Sequence, residues 1–191
     1  MFKIIMSGLA ILLLVASVAL WMLRPDARRA EGSKAPGFAL QDQNGRTHYL
    51  DDYAGRWLVL YFYPRDDTPV CTREACRFRD DLDTLEQLDA AVVGVSVDST
   101  RSHADFSRKY GLPFPLLSDP GGRTARAYGS LLNLGVMHVA RRHTFIIAPD
   151  GYIAARFDHV DPARHVEEVR DALRSLQGVG TSRVFSAAGH G

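Results

Sequence analysis

Hydrophobic and polar positions divide this chain into alternating strands and helices behind an apolar leader. Two runs, Trp57-Leu-Val-Leu-Tyr-Phe-Tyr63 and Ala91-Val-Val-Gly-Val-Ser-Val97, carry no polar face and read as strands buried on both sides. Between them, the pattern from Cys71 to Ala90 predicts one long helix. Upstream, Phe38-Ala-Leu40 and Arg46-Thr-His-Tyr-Leu50 flank Asn44-Gly45, a strong hairpin signal. Downstream, Ser102 to Tyr110 predicts a helix closed by Gly111, Phe114 to Leu117 a short strand, and Arg123 to Tyr128 a short helix. Residues 143–148 and 152–157 pair as a hairpin around Pro149-Asp150-Gly151, and Pro162 starts a last helix that ends before Gly178.

That order predicts an α/β fold: a thioredoxin-like sandwich with a central mixed sheet, preceded by an N-terminal apolar helix. Residues 37–177 are expected to form the domain, and the small, polar residues 178–191 a disordered tail. After the leader, about 150 residues remain, ample for one core. The leader itself, Ile4 to Leu23, holds no charge and is long enough to span a bilayer. Lys3 precedes it, Arg24 follows, and Trp21 suits the membrane interface. Residues 1–23 thus read as a membrane anchor or a signal segment, with Ser17-Val-Ala19 as a possible cleavage site, and 24–36 as a charged linker. The preferred expectation is an uncleaved single-pass anchor in a bacterial-type inner membrane. Arg24, Arg28, Arg29 and Lys34 outweigh Lys3 and the terminal amine, which favours a cytoplasmic domain. A signal would export the domain to the periplasm instead.

Candidate chemistry concentrates in Tyr63-Pro-Arg-Asp-Asp-Thr-Pro-Val-Cys-Thr-Arg-Glu-Ala-Cys76, which holds both cysteines. Cys71 falls where a strand has ended and a helix begins. The free N–H groups and positive dipole end of a helix start stabilise an anion, and so favour a nucleophilic thiolate. On one intact helix, Cys71 and Cys76 would have Cα atoms roughly 8.6 Å apart. A disulfide needs less than about 7 Å. The pair therefore suits a redox switch, reduced on the intact helix and oxidised on an unwound one, rather than a structural bridge. A zinc site would need two further ligands, and none of the seven histidines stands at zinc-finger spacing from the cysteines.

The run Pro64-x-x-x-Thr68-x-x-Cys71 resembles the peroxidatic motif of peroxiredoxins. A second cysteine five residues on is similar to the subgroup called bacterioferritin comigratory protein, or peroxiredoxin Q. The likeness covers residues 33–177 and continues through Arg77-Phe-Arg-Asp80, Gly94-Val-Ser-Val-Asp98, Phe114-Pro-Leu-Leu-Ser-Asp119 and Arg142-His-Thr-Phe-Ile-Ile147. Val70 stands where that family usually has glycine, so a small local adjustment of the turn is expected. The resemblance implies a thiol peroxidase for hydrogen peroxide and organic hydroperoxides. Cys71 would be the peroxidatic cysteine and Cys76 the resolving one. Thr68 would hydrogen-bond peroxide and thiolate, Pro64 would shield the pocket from water, and Arg142 would hold the thiolate and polarise the peroxide. Thioredoxin or a similar dithiol would be the reducing partner, no cofactor or metal is implied, and a monomer is expected.

Other residues receive plainer readings. Glu74 reads as a helix-start carboxylate favoured by the dipole, with a supporting role allowed by the resemblance. Asp66 and Asp67 read as loop-solvating charges, and no histidine is assigned. Side chains alternate along a strand, so only one of Arg141 and Arg142 can face the site. A net charge of +1 with no basic stripe gives no sign of nucleic-acid binding. Two alternatives to a peroxidase remain: a membrane-tethered thiol-disulfide oxidoreductase acting on proteins, and a redox sensor. The first usually carries Cys-x-x-Cys, against Cys-x4-Cys here. The second would use the same residues.

Overall fold

A computed structural model describes residues 31–133, 138–158 and 160–178. Its centre is a seven-stranded mixed sheet. The strands are β1 (Ala39–Gln41), β2 (Thr47–Tyr49), β3 (Trp57–Phe62), β4 (Ala90–Ser96), β5 (Leu116–Ser118), β8 (His143–Ile147) and β9 (Ile153–Phe157), in the order β2-β1-β5-β4-β3-β8-β9. β3 runs parallel to β4, and β4 to β5, while β3–β8 and β8–β9 are antiparallel. β6 (Leu131–Asn133) and β7 (His138–Ala140) form a separate two-stranded sheet that the hydrophobic pattern did not announce.

Alternation along β3 builds two cores. Val59, Tyr61 and Tyr63 face one layer with Phe78, Leu85, Phe106 and Val169, and Leu58, Leu60 and Phe62 face the other with Ala125, Tyr128 and Phe145. The first layer is covered by α1 (Pro69–Asp80), α2 (Leu82–Gln87), α3 (Thr100–Tyr110) and α5 (His165–Leu176). The second is covered by α4 (Arg123–Ala127). This is the expected thioredoxin-like α/β sandwich with a central mixed sheet.

Several expected boundaries move for local reasons. The helix expected over 71–90 is two helices. The ladder breaks at Asp81, whose N–H is shared between the carbonyls of Arg77 and Arg79. Asp89 then takes a left-handed conformation, φ 52°, which ends the helical region and lets β4 start at Ala90. The third helix begins earlier than expected, because the Ser99 side chain caps it by accepting from Ser102 N–H at 3.2 Å. Around Asn44-Gly45 the connection is longer than a two-residue turn, with Asp42 N–H bonded to the Arg46 carbonyl and Gly45 at φ 79°. The last helix starts at His165, after a turn in which the Asp161 carbonyl accepts from Arg164 and His165.

The expected N-terminal apolar helix and the membrane segment 4–23 lie outside the described residues. Among the described residues no helix is long and apolar enough to cross a membrane. The longest, α1 and α5, have 12 residues each. That is about 18 Å of helix, against about 30 Å of hydrocarbon.

Candidate active site

The site forms where β3 ends and β8 begins. In the antiparallel pair, Phe62 lies opposite His143. The chain entering β8 therefore passes the turn that leaves β3. This register brings Arg142 to Cys71 across 71 positions of sequence, and Arg142 Nη2 donates to Cys71 Sγ at 3.1 Å.

Cys71 is placed by the start of α1. Pro69 occupies the first helical turn, and a residue before proline is pushed to extended backbone, as Thr68 is at φ −84° and ψ 147°. The Thr68 carbonyl accepts from Thr72 N–H at 2.8 Å, which starts the helical ladder. Cys71, Glu74, Ala75 and Phe78 form the buried face of α1 at spacings of three and four residues. The thiol is thus both near a helix N-terminus and within the core, 2% exposed. Val70 lies in the first turn and is partly exposed. The left-handed residue of the preceding turn is Asp67, φ 55°, so the turn forms without a glycine at position 70.

Glu74 is not the solvated helix-start charge expected. It is fully buried and pairs with Arg142 Nη1, while its Oε1 has no hydrogen-bond partner among the described residues. Burial pushes its pKa up to about 7, against the opposing pull of the Arg142 charge. For Arg142, burial works against the charge, but Glu74 and Cys71 outweigh it and the pKa lies above the usual arginine value. One guanidinium thus spans a carboxyl and a thiol. Position three residues after Cys71 on one helical face was the available signal for Glu74.

The other expected residues are placed less uniformly. Pro64 follows β3 and is half-buried. The Thr68 hydroxyl donates to the Arg65 carbonyl at 3.1 Å, so it closes its own turn. Cys76 is half-buried on α1 five residues beyond Cys71, and both thiols are free. Asp66 departs from its loop-solvating reading. It is buried and accepts from Tyr63 Oη at 2.7 Å and Ser102 Oγ at 2.7 Å, and it shares a 2.8 Å hydrogen bond with His103 Nδ1. Its own N–H donates to Asp98. This cluster ties the turn before α1 to α3, and no local pattern in the sequence pairs Asp66 with a histidine 37 positions away. Asp67 is exposed and bonds Lys109 and Tyr110. Among the described residues no group of three or more acidic, histidine or cysteine side chains is placed to hold a metal ion.

Residues 32–156 match the model of the AhpC/TSA family. The chain belongs to the AhpC/TSA family and is a peroxiredoxin. Peroxiredoxin Bcp of Bacillus subtilis is 40% identical over 149 residues, covering 76% of this chain and 95% of the relative. The chloroplastic peroxiredoxin Q of Sedum lineare is 39% identical over 153 residues, covering 79% and 81%. A solved structure of PrxQ from Xylella fastidiosa superposes with a TM-score of 0.73 at 33% identity, covering 78% of this chain and 98% of that one. This peroxiredoxin is therefore a thiol peroxidase, an oxidoreductase of the peroxiredoxin Q/Bcp kind. The expected single-pass inner-membrane localisation is corrected by the same findings. The relatives bear chloroplastic or Bcp names, and no described helix spans a bilayer.

Proposed function

We propose that this peroxiredoxin reduces hydrogen peroxide and organic hydroperoxides through Cys71, resolves through Cys76, and is recycled by thioredoxin or a similar dithiol. The carrying observation is Arg142 Nη2 at 3.1 Å from a buried Cys71 Sγ at a helix start. The Cys71 thiolate attacks the terminal peroxide oxygen. The O–O bond breaks, Cys71 becomes a sulfenic acid, and the leaving alkoxide or hydroxide takes up a proton. Arg142 offers fixed positive charge to the thiolate and to the oxygens that gain charge as the bond breaks. Pro64 limits water at the site. Thr68 serves the peroxide once its hydroxyl turns from the Arg65 carbonyl, a rotation about one bond.

In the second half-reaction the Cys76 sulfur attacks the sulfenic sulfur, the S–O bond breaks, and water leaves as the disulfide forms. Both cysteines lie on α1, so their sulfurs meet only if its first turns unwind. The disulfide lies within one chain, and one copy of the domain, residues 37–177, suffices. A dithiol then returns both thiols.

Peroxide consumption by the purified protein with a thioredoxin system tests this reading. Cys71→Ser is expected to abolish turnover, since it deletes the nucleophile. Cys76→Ser is expected to react once and then stall as a sulfenic acid or over-oxidise. Appreciable turnover by the first variant would sink the peroxidatic assignment, and normal cycling by the second would sink the resolving one.

A further inference from the structure

Arg142 reaches Cys71 from a short stretch of chain that is gripped from the opposite face of the sheet. Its guanidinium meets Glu74 and Cys71 on the α1 side. Along β8 the side chains alternate: Ile146 packs in the layer under α1, while Phe145 and Ile147 pack in the layer under α4. His143, the first residue of β8, lies on the side of Phe145, away from α1.

Ser130, in the link between α4 and β6, meets this stretch twice. Its carbonyl accepts from Arg141 N–H at 2.7 Å, and its hydroxyl shares a 3.0 Å hydrogen bond with His143 Nδ1. His143 N–H donates to the Arg141 carbonyl at 3.0 Å, which closes a three-residue turn with Arg142 at its centre. Ser130 is itself tied to α4, its N–H donating to the Ala125 carbonyl at 2.7 Å. On the far edge of the His143 ring, Nε2 faces Asp158 Oδ1 at 3.8 Å, just beyond the end of β9. Ser130 and His143 are both buried. The Ser130 hydroxyl is closed to solvent, so the series Ser130–His143–Asp158 holds the chain and presents no nucleophile.

We propose that Ser130 and His143 are positioning residues for peroxide reduction: together they clamp the turn Arg141–His143 and so aim the Arg142 guanidinium at Cys71. The proposal rests on the reading of Arg142 as the group that serves the Cys71 thiolate. Leaving either buried partner of the Ser130–His143 bond unpaired costs free energy, so the clamp resists rotation of the turn. It also lies on the face away from α1. When the first turns of α1 unwind in the proposed resolving step, Glu74 and Cys71 shift relative to the guanidinium. The clamp stays closed and keeps Arg142 in place for the helix to reform around it.

The test is a double-mutant cycle on the rate of Cys71 oxidation by hydrogen peroxide, in full-length protein carrying Cys76→Ser so that one oxidation is followed. Ser130→Ala is expected to slow that step about tenfold. This is less than the roughly hundredfold that a misplacement of about 1 Å can cost, because the Arg141 N–H bond to the backbone carbonyl of position 130 remains. Combined with Arg142→Ala, the same substitution is expected to change the rate by less than about twofold, since no guanidinium is left to aim. Both backgrounds lose the same hydrogen bond, so a general loosening of the domain would slow both alike. Equal slowing would therefore overturn the proposal, and so would an unchanged rate in Ser130→Ala alone. His143→Leu is expected to match Ser130→Ala. His143→Asn, whose side-chain amide reaches the place of Nδ1, is expected to stay within about twofold of the parent. His143→Asn as slow as His143→Leu would overturn the hydrogen bond as the clamp. Oxidation of Arg142→Ala at the parent rate would overturn the underlying reading of Arg142, and the proposal with it, whatever the cycle shows.

Discussion

The start and the middle of α1 carry the same side chain in unlike surroundings. Cys71 is buried at the helix start, beside a guanidinium supplied by the chain entering β8. Cys76 is half-buried five residues on, in the middle of the same helix. The first setting is assembled by long-range register and excludes water. The second is mostly local and wet. A thiol that must discriminate peroxide from bulk solvent gains from the first. The thiol proposed to move several ångströms to close a disulfide gains from the second.

The largest test of that contrast is Arg142→Ala. Removing a preorganised donor at the reacting centre is expected to slow oxidation of Cys71 by about 10²–10³-fold. Alkylation of Cys76 should not change. Stopped-flow oxidation by peroxide and alkylation of Cys76 by iodoacetamide measure the two arms, and equal slowing of both would dissolve the distinction between the two thiols.

Glu74→Gln gives a smaller effect and a defined sign. Glu74 takes up its proton near pH 7 when folded, against an ordinary value of 4.5. Between those values the folded state binds more protons than the unfolded chain, so this group's contribution to stability falls as pH rises. The wild type should therefore lose about 1–3 kcal/mol relative to Glu74→Gln between pH 4.5 and pH 7, with little further change above. Denaturant titrations of both proteins across that range measure it. Parallel stability curves would show that the buried carboxyl titrates normally.

The smallest effect concerns the helix between the two thiols. Oxidation to the disulfide should speed amide exchange across residues 71–78 by about tenfold relative to the reduced protein, with exchange in β3 and β4 unaltered. Unchanged protection over that segment in disulfide-bonded protein would mean that the sulfurs meet without unwinding.

Much of the fold was legible because burial on both faces of a strand writes an unbroken apolar run. β3 and β4 appear as such runs, the β8–β9 hairpin was marked by its Pro149-Asp150-Gly151 turn, and Gly111, at φ 60°, closes the third helix as its position suggested. β6 and β7 were not legible. They are three residues each, too short for periodicity to register. The break at Asp81 was also hidden, since the apolar spacing continues through it to Leu85.

By itself, the sequence determined where the candidate nucleophile sits in the chain. Proline at the first helical position, a strand before it and an amphipathic face after it place Cys71 at a helix start, and these are local instructions. Tertiary structure decided what surrounds that thiol. Arg142 arrives through the Phe62–His143 register, Glu74 becomes a buried partner rather than a solvated charge, and Asp66 finds His103 across the turn. These are contacts between residues far apart in the chain, or consequences of which face of a helix is covered. A one-dimensional pattern encodes periodicity and turn chemistry, but the partner of a charge and the loss of its water are fixed only when sheet register and helix docking bring distant segments together.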